Sequence, residues 1–308
     1  MISLRYQDKN TVVHQLNPLS KLAWVGSILI LSLIFSNPLY ILLLFLATLP
    51  LITAARIGRE WASVMKLSLY LCTAIVVINV LVSYHGSHVL VEAPFRLPIL
   101  GTPIITLEAI LFGIAMSIKL LVIISAFTLL TFTIHPDDIM LALLKMRFPY
   151  KSVMVTSLST RFIPCLIEDI QRISDVHKSR GLELDKGNWL QKVKNRAVIT
   201  IPLLANSLDR AVQVAEAMES RAFGAGQGRT FYKEIRMTKM DIVTLVLGIL
   251  PCAFGIFMRL LGYGDYQYYP TLGVINPGTL EWLVLFIMVL LLLSILFVAF
   301  TRRVSSVD

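Results

Sequence analysis

Two arginines have the residue type and setting for directed chemistry. Ser179-Arg180-Gly181 and Ser220-Arg221-Ala222 repeat one short pattern, each closing a stretch with apolar residues every three or four positions. In the first stretch these are Phe162, Ile163, Leu166, Ile167, Ile170, Ile173 and Val176; in the second, Leu204, Leu208, Ala211, Val212, Ala215 and Met218. The spacing predicts two amphipathic helices, with Glu168, Asp169, Arg172 and Asp175 on the polar side of the first. Pro164 and Pro202 predict where each helix begins, and the small residues after the arginines predict where each ends. An arginine at a helix C-terminus complements the helix dipole and presents a forked, permanently charged donor set. Taken alone, each reads as a solvated cap. Repeated on successive helices between apolar segments, they are less readily explained as solvated caps alone.

Other candidates carry less chemistry. Lys119 lies near the middle of a long apolar run and Asn79 lies within another; a charge at membrane depth marks function unless it snorkels or pairs within the bundle. His85 and His88 stand three apart in a loop with no third ligand nearby, whereas metal sites usually take three or four. Gly224-Ala225-Gly226-Gln227-Gly228-Arg229-Thr230 lacks the Gly-Lys-Ser/Thr end of a phosphate loop and follows a helix instead of a strand, so it reads as a flexible exit. Cys72, Cys165 and Cys252 are isolated from one another and suggest packing. No nucleotide-binding motif, nucleophile elbow, haem ligation pattern or metal cluster appears, which argues against an enzyme.

The elements that must position these groups are apolar. Of 308 residues, 56% are hydrophobic and only 15% charged, with a mean hydropathy of +0.75. A soluble domain carries about a quarter charged residues, and the apolar runs here approach the ~20 residues that cross a bilayer. The expected fold is an all-α polytopic membrane bundle of about six transmembrane helices with a domain of amphipathic helices between the fourth and fifth. The expected spans are 18–35, 38–54, 67–82, 104–132, 242–261 and 280–300, giving segments 1–132, 133–239 and 240–308. At 29 residues the fourth would reach about 43 Å, so it tilts or extends past the membrane. The polar first twenty residues lack the apolar core of a cleavable signal.

The net charge of +9 is unevenly placed. Between Thr133 and Asp241 lie 17 of the 28 lysines and arginines, whereas Tyr84–Pro103 holds only Arg96 and Leu261–Thr279 none. That asymmetry follows the positive-inside rule and not a phosphate-binding stripe, so no nucleic-acid partner is expected. It places both termini and the 133–239 region in the cytoplasm.

With these motifs assembled, the chain resembles the transmembrane (T) component of energy-coupling factor (ECF) transporters, the CbiQ-like family. Leu16-Asn17-Pro18-Leu19-Ser20-Lys21-Leu22 is similar to the family's Leu-Asp-Pro-x-Thr-Lys-Leu start. Thr131 to Asp138 is similar to its Thr-x-x-Pro-x-Asp-Leu element, and the two arginine motifs to its paired Xaa-Arg-Gly motifs. Ala222 departs from the pattern, standing where glycine is usual. The resemblance implies a scaffold in the cell membrane that binds two ABC-type ATPase subunits on its cytoplasmic face and a substrate-binding S component in the bilayer. Ser179, Arg180 and Gly181 would serve one ATPase, and Ser220, Arg221 and Ala222 the other. The cargo would be a vitamin, a vitamin precursor or a transition-metal ion. It implies no cofactor on this chain, with ATP and magnesium held by the ATPases. Two other readings stay open: a secondary permease or channel that depends on Lys119 or Asn79, and a membrane scaffold for some other cytoplasmic protein.

Overall fold

The computed structural model describes residues 9, 11–83, 86–92, 104–181, 188–224, 237–273 and 278–305. His85, most of the glycine-rich exit and residues 182–187 lie outside them. Among the described residues the chain forms helices α1 (Pro18–Ile34), α2 (Pro38–Ala54), α3 (Gly58–Val82), α4 (Leu107–Thr133), α5 (Pro136–Lys145), α6 (Tyr150–Ser179), α7 (Trp189–Ser220), α8 (Lys239–Leu260) and α9 (Thr279–Ser305). The strands β1 (Val89–Glu92) and β2 (Ile104–Thr106) pair antiparallel ahead of α4. Helices α3, α4, α8 and α9 are long and apolar enough to cross a membrane, and α1 and α2 are shorter apolar helices of 17 residues each. The expected all-α membrane bundle is what the chain forms. Two compact units result, Met1–Asp138 with Arg236–Asp308, and Ile139–Ile235.

Local chemistry explains the first two helices. The side chains of Asn17 and Asn37 accept hydrogen bonds from the N–H groups of Leu19 and Leu39, and Pro18 and Pro38 occupy the first helical positions. Later boundaries depart from expectation. Helix α3 starts at Gly58, nine residues before the expected span, because its opening turns carry Arg59, Glu60 and Lys66 and its cap, Ile57, has no capping side chain. Helix α4 starts at Leu107, capped by the Thr106 hydroxyl, which accepts from Ala109 N–H at 3.3 Å. Ile104 and Ile105, expected in the span, belong to β2, where branched side chains suit the strand.

In the first unit α1 packs against α4 and α8, and its Trp24 Nε1 donates to the Leu292 carbonyl of α9 at 3.1 Å. The Ser27 hydroxyl donates to the Gly248 carbonyl at 2.6 Å, and the Ser20 and Thr244 hydroxyls meet at 2.9 Å. A methyl group at Gly248 would come within 3.1 Å of the Ser20 carbonyl oxygen and 3.3 Å of Trp24 N. Small residues let helix backbones approach in this way. Gly248→Val is therefore expected to cost about 1–3 kcal/mol by overpacking, read as a lowered thermal midpoint of the detergent-solubilised chain.

One end of this unit is knit by loops. Gly264 carbonyl accepts from the N–H groups of Ser36 and Asn37, both at 3.1 Å. Tyr268 hydroxyl donates to Ser36 carbonyl at 2.8 Å, and burial pushes that phenol up to about 12. Glu108, fully buried in the first turn of α4, accepts through one oxygen from Ser87 N–H, Ser87 hydroxyl and His88 N–H at 3.0–3.2 Å, with His88 Nδ1 at 2.8 Å. His88 is thus committed to a carboxylate.

Candidate functional site

In the second unit the two motif helices are longer than the sequence suggests. Helix α6 runs 30 residues and α7 runs 32, with Pro164 and Pro202 inside them and not at their starts. Each proline removes one main-chain bond without ending the helix. Helix α7 opens instead on a capping box in which Asn188 and Gln191 satisfy each other's backbone N–H groups.

The faces that pack match expectation only in part, through Phe162, Leu166, Ile173 and Met218. On α6 the least exposed line runs Phe162, Leu166, Asp169, Ile173, His177, and on α7 it runs Ile199, Leu203, Ser207, Arg210, Val214, Met218. Ile163, Ile167, Ile170 and Val176 of α6 stand exposed. So do Leu204, Leu208, Ala211, Val212 and Ala215 of α7, with Leu204 60% accessible. Asp169, expected on the polar face, is buried and accepts from Arg210 Nη2 at 2.7 Å. Much of the apolar periodicity thus marks a stripe left exposed among the described residues.

The motifs close the helices with matching backbones. Arg180 is the C-cap of α6 at φ −86° and ψ 9°, and Arg221 is the C-cap of α7 at φ −91° and ψ 14°. Gly181 and Ala222 follow in the left-handed region at φ +82° and +54°. The N–H of Gly181 bonds to the Lys178 carbonyl at 2.9 Å, and that of Ala222 to the Glu219 carbonyl at 2.9 Å. At α7 the Phe223 N–H also reaches the Met218 carbonyl at 3.0 Å, which completes a Schellman motif. Ser179 hydroxyl donates to Asp175 carbonyl and Ser220 hydroxyl to Ala217 carbonyl. Both arginines are exposed, and neither side chain has a hydrogen-bond or ion-pair partner among the described residues.

Ala222 shows why glycine fits this position. A left-handed conformation costs an L-residue about 1–2 kcal/mol, and Gly181 avoids that cost at the matching site. Ala222→Gly is expected to raise the thermal midpoint by an amount worth about 1 kcal/mol, with partner binding retained, as checked by calorimetry and co-purification.

Lys119 and Asn79 belong to the other unit and do not converge. Lys119 is half-buried on α4 without a hydrogen-bond or ion-pair partner among the described residues. Asn79 of α3 packs beside Gly113, six residues earlier on α4 and about 9 Å along its axis. Sequence reasoning missed Lys21. It is buried, and its Nζ donates to the carbonyls of His14 at 2.9 Å and Thr133, the last residue of α4, at 2.8 Å. The cue was available: a lysine in a first turn opposes the helix dipole and needs another reason to be there.

These features define a multi-pass helical membrane protein with paired arginine caps on the two long helices of its second unit. Residues 9–232 match the family model described as CbiQ, cobalt transport protein. The energy-coupling factor transporter transmembrane protein EcfT of Bacillus selenitireducens is 28% identical over 267 residues, spanning 84% of this chain and 97% of that protein. The EcfT of Staphylococcus aureus is 30% identical over 263 residues, spanning 82% and 95%, and that of Streptococcus equi subsp. equi is 33% identical over 267 residues, spanning 82% and 94%. The chain belongs to the CbiQ family, the transmembrane T components of energy-coupling factor transporters.

Proposed function

We propose that this T component couples ATP hydrolysis by two bound ABC-type ATPase subunits to reorientation of a membrane-embedded S component, importing a vitamin, a vitamin precursor or a transition-metal ion. The observation that carries the reading is the pair of exposed arginines on near-identical helix caps. Each cap leaves a guanidinium free to enter an acceptor-lined socket, where a bidentate contact to a carboxylate is both strong and specific. Two equivalent caps on one chain suit two homologous ATPases. The chain performs no catalysis in this scheme, and ATP and magnesium stay on the ATPases.

The uncovered stripe of Ile163, Ile167 and Ile170 on α6 and Leu204, Leu208 and Val212 on α7 supports a further apolar partner, since exposed apolar patches of this kind mark interaction sites. The S component and the bilayer are the partners proposed for it. Lysine and arginine placement supports cytoplasmic termini, a cytoplasmic 133–239 region and residence in the cell membrane. The test is affinity purification of the tagged full chain from its own host. Two ATPase chains and one S component should accompany it; their absence would favour a self-contained permease.

A further inference from the structure

We infer that Asp169 and Arg210 are positioning residues, their ion pair pinning the register of α6 against α7 and so setting the spacing of the two arginine caps. The inference rests on the reading of those caps as docking groups. It begins from an inversion of pattern: Asp169 is buried at the helix–helix contact, while the isoleucines beside it at 167 and 170 are exposed. The pair is only partly buried, with the Arg210 side chain 32% exposed, so it contributes modestly to stability, but it is satisfied in only one register. The rest of the shared face is permissive, with Leu166, Leu203, Ser207 and Val214 able to pack after a slip of one turn. Arg210 Nη1 is buried without a partner among the described residues, so this guanidinium is committed to the single carboxylate of Asp169.

The placement is symmetric. Arg180 stands eleven residues after Asp169, and Arg221 stands eleven after Arg210. Eleven residues rise about 16 Å and return to within about 20° of the same line, being close to three turns. The pair is therefore a pivot with two equal arms, each ending in a cap arginine. A one-turn slip at the pivot would carry one arginine ~5 Å relative to the other, further than a two-pronged contact follows.

The experiment measures the distance between caps in the full chain, free of ATPase. Spin labels are placed at Ser179→Cys and Ser220→Cys in a background whose native cysteines are replaced, and double electron–electron resonance is recorded in nanodiscs. A single narrow distribution is expected for the parent. Asp169→Asn, which keeps side-chain volume and so preserves the fold, should broaden it or shift it by ~5 Å. The charge exchange Asp169→Arg with Arg210→Asp should restore the narrow form. An unchanged distribution in Asp169→Asn, or an exchange variant as broad as the single, overturns the pivot. The docking reading fails separately: unaltered ATPase capture by chains lacking both cap arginines would sink it while these distances stand.

Discussion

Alanine at both Arg180 and Arg221 is expected to abolish ATPase association and uptake while the chain stays folded and inserted. Each arginine would meet a carboxylate at a desolvated interface, and truncation would strand that charge at a cost of ~2–5 kcal/mol per site. That is a loss of roughly thirty- to several-thousand-fold in affinity for each ATPase. The fold should be spared, because both side chains are exposed and unpartnered among the described residues; only their interaction with the helix dipole is lost, worth ~0.3–1 kcal/mol. Arginine to lysine should recover part of the binding, since a point charge supplies one prong of a two-pronged contact. The shared cap geometry makes comparable losses the expectation at the two sites. Arg172, exposed on α6, is the control, and its alanine variant should change binding by at most ~1 kcal/mol. Arg210 fails as a control because it pairs with buried Asp169. Capture of ATPase by the double variant at the parental level would leave a permease built around Lys119 or Asn79 as the better reading.

Where the sequence was legible, a short-range signal matched a short-range cause. Asn17-Pro18 and Asn37-Pro38 specify a cap and a first turn within three residues, and both helices begin there. Ser-Arg-small specified two helix ends for the same reason. The start of α3 escaped because the apolar run was taken to cover the whole helix, and those of α6 and α7 because Pro164 and Pro202, which lie inside the helices, were read as first-turn prolines. The most instructive partial miss is the choice of faces on α6 and α7. Periodicity finds the side of a helix that must leave water, and that side need not face the rest of its own chain. Leu204, Leu208 and Val212 repeat correctly and yet stand in the open, while the least exposed lines combine expected apolar residues such as Phe162, Leu166, Ile173 and Met218 with Ser207, Arg210 and Asp169, polar residues that no hydrophobic pattern can reveal. Asp169 and Arg210 are 41 residues apart, so only the packed helices disclose the pair. The hairpin at β1 and β2 was hidden differently: Ile104-Ile105-Thr106 runs directly into an apolar helix, and only pairing with Val89–Glu92 separates it.

Lys21→Met is the second large expected effect, and it falls on stability. The Lys21 ammonium joins the first turn of α1 to the last carbonyl of α4 and to the turn at His14, with contacts of 2.8 and 2.9 Å. A cation beside a helix C-terminus also offsets the partial negative charge that the end of α4 carries. Methionine matches the stem but not the charge, so the carbonyls of Thr133, in a buried site, and of His14, in a partly buried one, would each lose a charged donor. Leaving one buried acceptor unsatisfied costs about 1–3 kcal/mol, so removal of both should cost roughly 2–5 kcal/mol. The expected result is a clear fall in the thermal midpoint of the purified chain and greater protease sensitivity between Thr133 and Asp138, where α4 gives way to α5. Lys66→Met, at an exposed position on α3, should stay within about 0.5 kcal/mol of the parent. Equal midpoints for Lys21→Met and Lys66→Met would show that the buried ammonium does not hold these two helix ends together.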